Sequence, residues 1–322
     1  MIHPAHRGVG AVRQFASRAQ HPLISFWTAC LHQGLDCVAC GTRALDATRS
    51  YHLDRPAAHD LGDHKLLVCP KCGLGFLFPQ PTDEFLRKEI YNESYPLYDT
   101  QWTEASVSFR RQAYRSLFPH PLLGLIPKDP GRALDVGCAS GYWMHQLAKL
   151  GWEVSGLDIS QDAVDAVRSL GFAGSRGSIE NTRLESESFD LVLLSAVLEH
   201  LHDPIAALRN SWAALKPGGF VVIDVPNLDS IETTVFKENW SFFAIGHLFY
   251  FTEDSLRRML EEARFAPEAF VKKSSELTTG YSLARKLKVP WGMPPFVLGT
   301  GLQLFLNLVD RSGELFCRAR KT

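Results

Sequence analysis

Short apolar runs alternate with amphipathic stretches through the second half of the chain. Residues 133–136 and 189–195 are short, nearly continuous apolar runs bounded by turn residues, as buried parallel strands require. The predicted strands are residues 133–136, 153–157, 172–176, 189–195, 220–225, 268–271 and 314–318. Between the first two runs, Trp143, Leu147 and Leu150 fall at the i, i+4 and i+7 spacing of a helix. Strands that alternate with helices in this way predict an α/β fold built on a parallel sheet.

The ends of the predicted helices agree with this alternation. Ser160, Asp203 and Thr252 each precede an amphipathic stretch, where a short polar side chain can accept a hydrogen bond from a free backbone N–H. Gly151 and Gly171 follow the first two helices, where a left-handed residue commonly ends a helix. The predicted inward-facing residues of the later helices are Ala163, Ala166, Val167, Leu170, Leu208, Trp212, Leu215, Leu256, Met259, Leu260 and Ala263.

The loop after residues 133–136 carries the first candidate chemistry. It reads Asp135-Val-Gly137-Cys-Ala-Ser-Gly141, and the next strand is followed by Asp158. Glycines let a backbone approach a ligand closely, and an acid after the second strand can accept hydrogen bonds from ribose hydroxyls. The spacing differs from the dinucleotide fingerprint G-x-G-x-x-G, which packs a helix N-terminus on pyrophosphate. The looser D-x-G-x-x-x-G turn suits a nucleoside ligand that lacks a phosphate.

This pattern resembles the first motif of the class I S-adenosylmethionine (SAM) methyltransferases, and Asp158 matches their ribose-binding acid. The resemblance implies SAM as the cofactor and a Rossmann-like sheet of seven strands with a reversed C-terminal pair. Residues 177–180 correspond to the loop where that family contacts adenine. The cofactor-binding residues implied by the resemblance are Asp135, Gly137, Cys138, Gly141, Asp158, Ile159, Ile179 and Ser195.

Four of the seven cysteines form two C-x-x-C pairs, and each pair is followed by a glycine. Cys37 and Cys40 make the first pair, and Cys69 and Cys72 make the second. Two such pairs can supply four thiolates in a tetrahedron, which is the ligand set of a closed structural zinc site. The alternative is a set of redox thiols or disulfides. Disulfides are disfavoured because we expect a cytoplasmic protein, given that the sequence shows no secretory signal.

The charge distribution argues against a nucleic-acid acceptor. The chain has a formal net charge of −1. Between residues 35 and 95, seven Lys and Arg are set against nine Asp and Glu, which gives −2. A module that neutralises phosphates should be basic, so RNA binding by the cysteine region is disfavoured. Two alternatives stay open, an RNA methyltransferase with a zinc ribbon and a non-catalytic SAM-binding scaffold.

The segment after the second cysteine pair carries another resemblance. It reads Gly-Leu-Gly-Phe-Leu-Phe-Pro-Gln-Pro-Thr, and Tyr91 and Tyr95 lie beyond it. It is similar to the zinc-binding N-terminus of bacterial methyltransferases that act on sugars and polysaccharide precursors. There the zinc module and its tyrosines help to wall the substrate site. The resemblance implies a small-molecule or glycan-precursor acceptor, methylated at a hydroxyl of a sugar, nucleotide sugar or glycan precursor.

Glu199, His200 and His247 are the candidates for acceptor chemistry. Glu199 and His200 follow residues 189–195, at the edge where open α/β sheets bind ligands. His247 comes after the fifth strand, and an imidazole has the pKa of a base that works near neutral pH. Trp240 and Phe243 are expected to offer an aromatic face to a sugar ring. The alternative is that these histidines only hydrogen-bond their own loops.

Two family patterns bear on these candidates. Ubiquinone-type O-methyltransferases resemble the stretch around Glu199, but they carry an acid where this chain has Ala196, and that acid assists a metal. The substitution argues against a catalytic metal. The stretch around His247 resembles a motif of zinc-containing sugar C-methyltransferases in which a Tyr and a Glu accompany the His. Ala244 and Gly246 occupy those positions, so O-methylation is favoured.

The expected organisation has four parts. A partly disordered extension covers residues 1–34, a zinc-binding module 35–95, a helical linker or cap 96–130, and the SAM domain 131–322, with a substrate lid around 227–251 and 275–311. No apolar run is long enough to span a bilayer. Residues 296–309 predict either a packed helix or lid, or a peripheral contact with a membrane surface. No sequence feature indicates an oligomeric state.

Overall fold

The computed structural model describes residues 37–42, 51–52, 65–90, 120–273, 282–283, 286, 306 and 311–322. The strands are β1 (Tyr51–His52), β2 (Lys65–Val68), β3 (Gly75–Phe78), β4 (Arg132–Val136), β5 (Glu153–Asp158), β6 (Ala173–Arg176), β7 (Phe189–Ser195), β8 (Leu215–Pro226), β9 (Phe249–Tyr250), β10 (Phe265–Lys273) and β11 (Glu314–Lys321). The α-helices are α1 (Asp83–Phe85), α2 (Tyr142–Lys149), α3 (Gln161–Ser169), α4 (Pro204–Ala214), α5 (Ile231–Phe236) and α6 (Glu253–Glu262). Turns of 3-10 helix cover Pro121–Gly124, Leu198–His200 and Lys237–Asn239, and a π-helical turn covers Leu86–Ile90.

The larger sheet has seven strands in the order β10-β11-β8-β7-β4-β5-β6. Strands β8, β7, β4, β5 and β6 pair in parallel, whereas β11 runs antiparallel to both of its neighbours. This arrangement confirms the predicted Rossmann-like α/β fold of seven strands. The C-terminal pair is β10 and β11, and β11 is the strand whose direction is reversed. Residues 191–194 of β7 have no exposed surface, because this central strand is covered on both faces.

Capping side chains set the starts of three helices as predicted. Ser160, Asp203 and Thr252 each accept a hydrogen bond from the backbone N–H three residues further on. Gly151 and Gly171 follow α2 and α3 with φ of 91° and 87°, which is the left-handed conformation that commonly terminates a helix. The α/β alternation is therefore fixed by local chemistry as well as by burial.

Two of the predicted inward-facing residues are wrong. Leu150 and Leu170 are 49% and 42% exposed, although both fit the helical spacing of their segments. Helices α2 and α3 each end one residue earlier, so these leucines leave the helix path and turn to solvent. Trp143, Ala166 and Trp212 are partly buried. The remaining predicted inward-facing residues are buried, and they are Leu147, Ala163, Val167, Leu208, Leu215, Leu256, Met259, Leu260 and Ala263.

A smaller sheet joins the cysteine region to the α/β region. Its order is β1-β2-β3-β9, and its strands pair antiparallel. Strand β9 comes from the segment after β8 and pairs through Tyr250 and Phe249 with Gly75 and Phe76 of β3. The backbone N–H of Leu77 also donates to the carbonyl of Leu248 at 2.9 Å. The segment that carries His247 is thereby held in the same sheet as β2 and β3, the strands on either side of the second cysteine pair.

Several predictions concern residues outside the described ranges. These are the extension over residues 1–34, the part of the cap before residue 120, the two tyrosines at positions 91 and 95, and most of 275–311. The predicted boundaries of the four parts stay predictions. None of the helices in the described ranges is long and apolar enough to cross a bilayer.

Candidate functional site

The glycine loop that follows β4 is held against the end of β5. The backbone N–H of Gly137 donates to the carbonyl of Leu157 at 2.7 Å, and Gly137 and Gly141 have φ of 67° and 81°. A Cβ added to Gly137 would lie 2.6 Å from Val197 Cγ2, a distance that real Cβ atoms essentially never show. The conformation and the close contact both require glycine at position 137.

Asp158 lies at the end of β5 and is fixed by two backbone groups. Its Oδ1 accepts from the N–H of Ser160 at 2.8 Å, and its Oδ2 accepts from the N–H of Ala139 at 3.0 Å. Burial raises the pKa of Asp158, and these hydrogen bonds oppose the rise. Each oxygen keeps a second lone pair, so the carboxylate can still accept hydrogen bonds from a ribose. Asp135 is buried in β4, where burial and then the charge of Asp158 raise its pKa well above the usual range.

The other predicted cofactor-binding residues lie in different environments around the loop. Cys138 is buried, and its Sγ would lie 2.7 Å from a Cβ added to Gly156, so its side chain fills the space beside that glycine. Burial raises the pKa of the Cys138 thiol. Ile159 is 40% exposed, which leaves an apolar side chain available to a ligand. Ile179 is instead buried in the main core.

Ser195, at the end of β7, belongs to a short hydrogen-bonded chain. Its Oγ accepts from Trp143 Nε1 at 3.0 Å and donates to Asp224 Oδ2 at 3.3 Å. Asp224 is a candidate that the sequence reasoning missed. It lies opposite Ser195 on β8, and burial raises its pKa to about 7. The available signal was an acid inside an otherwise apolar strand, where charged residues are rare.

His247 is joined to Glu199 and His200 by hydrogen bonds between their segments. The N–H of Leu248 donates to the carbonyl of Glu199 at 2.7 Å, and His200 Nδ1 lies 2.8 Å from the carbonyl of Gly246. The two imidazole rings meet edge to face with centroids 4.7 Å apart. One ligand atom from each of Glu199, His200 and His247 lies within 4.8 Å of the other two. Three candidates from two separate parts of the sequence therefore form one group, which we call the acceptor cluster.

Burial governs the charge state of the acceptor cluster. Glu199 is 1% exposed, and burial, followed by the charge of Asp224, raises its pKa well above the usual range. Burial lowers the pKa of His200 to about 4, although the Gly246 carbonyl opposes this shift. A carbonyl can only accept, so His200 Nδ1 carries the hydrogen and Nε2 keeps its lone pair. Burial thus disfavours the charged forms of both Glu199 and His200.

The acceptor cluster lies directly beside the glycine loop. Val197, which contacts Gly137, comes two residues before Glu199. Ala196 has φ of 53°, and its N–H donates to the carbonyl of Asp224 at 3.0 Å. This backbone turn directs the 3-10 turn of Leu198–His200 over the end of the sheet. A methyl donor in the loop and an acceptor at the cluster would therefore be neighbours.

The aromatic residues that were predicted to face a sugar ring are wrong. Trp240 and Phe243 are 1% and 0% exposed, so neither can offer a face to a sugar. They pack with Tyr250 in the core under the segment, where they hold it in place. Phe242 is only partly buried and stacks on His247 with ring centroids 6.3 Å apart. Phe242 is therefore a partly exposed aromatic side chain next to the cluster.

The α/β region matches the model of a protein family over residues 107–269, which is half of the chain. That family is described as a methyltransferase domain. The chain belongs to this methyltransferase family. Its α/β region is a class I SAM-dependent methyltransferase domain.

Curated relatives of this methyltransferase match it over part of their length. The ubiquinone biosynthesis O-methyltransferase of Xanthomonas campestris pv. campestris (strain B100) is 35% identical over 106 residues, which are 30% of this chain and 44% of that protein. The protein of the same name from Cereibacter sphaeroides (strain ATCC 17029 / ATH 2.4.9) is 30% identical over 133 residues, 39% of this chain and 54% of that protein. The chain thus spans about half the length of these relatives. A solved SAM-dependent methyltransferase from Mesorhizobium loti has 21% identity and a TM-score of 0.44 over 62% of this chain and 95% of its own.

The cysteine pairs of the methyltransferase converge on one point. Cys37 Sγ lies 3.5 Å from Cys72 Sγ, and Cys40 Sγ lies 3.7 Å from Cys69 Sγ. Four thiolates at about 2.3 Å from a tetrahedral zinc ion are separated by roughly 3.8 Å. The residues present therefore fit a closed four-thiolate zinc site. The module is tied to the methyltransferase domain by Thr252, whose Oγ1 donates to the carbonyl of Cys72 at 2.8 Å.

Proposed function

We propose that this methyltransferase transfers the methyl group of SAM to a hydroxyl of a sugar, nucleotide sugar or glycan precursor. The observation that carries the proposal is the position of the acceptor cluster beside the glycine loop. The acceptor class is supported by the resemblance of the cysteine region to methyltransferases that act on polysaccharide precursors. The acid-rich cysteine region favours this acceptor over RNA.

The cofactor is held by the glycine loop and the end of β5 in this proposal. Asp158 accepts hydrogen bonds from the ribose hydroxyls, and Ile159 contacts the adenine with its exposed side chain. Asp135, Gly137, Cys138, Gly141, Ile179 and Ser195 complete the proposed site as backbone contacts or as the packing behind it.

Methyl transfer is an in-line displacement. The acceptor oxygen forms a bond to the methyl carbon, the carbon–sulfur bond breaks, and its electron pair stays on sulfur to give S-adenosylhomocysteine. We assign His247 as the base that takes the hydroxyl proton, with Glu199 and His200 positioning it. Alignment of the two reactants and exclusion of water supply most of the catalysis.

A structural zinc ion on Cys37, Cys40, Cys69 and Cys72 is part of the same proposal. When bound, such an ion would cross-link the two C-x-x-C turns and would keep no open position for chemistry. Its contribution to the reaction would be indirect. Strand β3, which follows the second pair, pairs with β9 immediately after His247. The zinc-binding module would thus hold the acceptor segment in place.

The names of the curated relatives favour a second candidate acceptor. Both are ubiquinone biosynthesis O-methyltransferases. An intermediate of ubiquinone biosynthesis is therefore the second acceptor class to test. It would use the same cofactor and the same cluster, so the two candidates differ in the acceptor alone.

Turnover of labelled SAM with two acceptor panels tests the proposal. One panel holds nucleotide sugars and glycan precursors, and the other holds ubiquinone precursors. His247→Ala should reduce turnover by roughly 10²–10⁴ with nearly unchanged SAM affinity. His145→Ala, which removes an exposed histidine on α2, is the matched control and should keep wild-type turnover. Full turnover in His247→Ala would remove His247 from the mechanism, and labelling of ubiquinone precursors alone would replace the sugar acceptor.

A further inference from the structure

We propose that Glu199, His200 and His247 bind a divalent metal ion such as zinc, at a site separate from the four cysteines. Two imidazoles and one carboxylate are the protein ligands of several catalytic zinc sites, which keep a further position open. The ligand atoms already lie within 4.8 Å of one another. The proposal is that the metal ion binds at this site. The chemistry that the bound ion would supply rests on the proposed function.

Glu199 supplies the first reason. Among the described residues, its Oε2 is buried and has no hydrogen-bond partner. Leaving a buried carboxyl oxygen without a hydrogen bond is costly, so such groups are rare without a function or a missing partner. A cation at the cluster would satisfy this oxygen.

The orientation of His200 supplies the second reason. Its Nδ1 donates to the carbonyl of Gly246, so the lone pair is on Nε2. That Nε2 lies 3.9 Å from Glu199 Oε1. Metal-binding histidines nearly always donate their other ring nitrogen to a carbonyl or a carboxylate in this way, which fixes both tautomer and ring angle. The ring is therefore already oriented as a ligand.

The third ligand comes from a distant segment. His247 lies one residue before Leu248, whose backbone is held by Glu199 on one side and by Leu77 of β3 on the other. Ala196 argued against a catalytic metal when only the stretch around Glu199 was considered. The smaller sheet brings in a histidine that the local sequence does not contain, so the missing acid no longer decides the question.

The spacing of the cluster sets what binding would require. Ligand atoms about 2.1 Å from a zinc ion are separated by roughly 3.4 Å. The observed 4.8 Å limit means that the distances between ligand atoms must shorten by up to about 1.4 Å, which side-chain rotation can supply. The His200 side chain is 18% exposed, so the site is open to solvent at that point. An open position on the ion would take the acceptor hydroxyl and lower its pKa, so that its proton would be released to solvent and His247 would be a ligand instead of the base.

Metal analysis of the full chain equilibrated with Zn²⁺ and then desalted tests the site. The wild type should hold about two zinc ions per chain, one in each cluster, following the ligand sets above. Glu199→Gln, which keeps the shape of the side chain, should hold about one. Glu185→Gln, at an exposed glutamate, is the matched control and should hold as many as the wild type. One zinc in the wild type and one in Glu199→Gln would overturn the proposal.

Two further measurements keep the result independent of folding and of activity. Co²⁺ in a four-thiolate site gives strong sulfur-to-metal charge-transfer absorption, whereas a His/Glu site does not, so titration with Co²⁺ resolves the two sites. His247→Ala should weaken the second Co²⁺ site by more than the roughly 10–100-fold that loss of an outer-shell partner costs, while the thiolate bands stay. If the weak Co²⁺ absorption bands of the second site titrate in His247→Ala as they do in the wild type, the proposed site is also overturned. If the wild type holds one metal ion and still methylates an acceptor, the metal proposal is rejected and the proposed function stands. If it holds two metal ions and methylates neither panel, the proposed acceptor is rejected and the metal proposal stands.

Discussion

Replacement of Gly137 by alanine should show how tightly the cofactor loop is fitted to the acceptor cluster. Gly137 has φ of 67°, and an added Cβ would lie 2.6 Å from Val197 Cγ2. The left-handed conformation costs an alanine about 1–2 kcal/mol, and overpacking typically adds about 1–3 kcal/mol. At about 2–4 °C per kcal/mol, the sum should lower the melting temperature by at least several degrees. SAM affinity should also fall, because the loop has to move away from Val197.

Gly171→Ala is the matched control for backbone strain. Gly171 has φ of 87°, and an added Cβ meets nothing within 4 Å, so only the conformational cost of about 1–2 kcal/mol applies. Thermal unfolding and calorimetry with SAM should show a smaller stability loss in Gly171→Ala and wild-type affinity. Adding Val197→Ala to Gly137→Ala should restore part of the affinity by removing the collision. Equal stability loss in the two glycine variants, with unchanged SAM binding in both, would refute the reasoning.

Three other substitutions test separate parts of the molecule. Asp158→Ala should weaken SAM binding by roughly 1.5–3 kcal/mol per charge-assisted hydrogen bond lost, and undiminished affinity in calorimetry would remove Asp158 from the cofactor site. Burial raises the pKa of Asp224 to about 7, so the folded state holds a proton that the unfolded chain releases near pH 4. Wild-type stability should therefore fall relative to Asp224→Asn as the pH rises from about 4 to about 7, and parallel pH dependence of the two melting temperatures would contradict this. Cys69→Ser should lose about one zinc per chain and melt at a lower temperature, whereas unchanged zinc content would reject the four-thiolate site.

The sheet was predictable where burial leaves a local pattern. Strand β7 has the bounds predicted from its apolar run, because a strand covered on both faces has few polar positions. The predicted start of strand β8 was residue 220, because Lys216-Pro-Gly-Gly has the composition of a turn. In the structure the strand begins at Leu215. The pairing of β7 with β8 has a register shift between Phe189 and Leu191, and Gly218 within the stretch has φ of 79°.

The arrangement of the acceptor cluster depends on contacts that no local pattern reports. His247, Glu199 and His200 were each identifiable from their chemistry and from their positions after predicted strands. Their contact depends on β9, a strand of two residues that pairs with β3 far earlier in the chain. Burial of Trp240 likewise depends on packing around Tyr250. The sequence alone therefore predicted these residues as candidates, but it did not predict which of them touch.

The pairing of β9 with β3 limits how this protein can exchange parts with its relatives. A chimera that received a foreign cysteine region, without residues 247–252, would have to pair its new β3 with an unrelated partner strand. A mismatched edge leaves unpaired N–H and C=O groups, which favours aggregation. The cysteine region and the histidine segment should therefore be inherited as one recombination block. The glycine loop, which contacts Val197 beside Glu199, would have to match this block wherever the crossover falls.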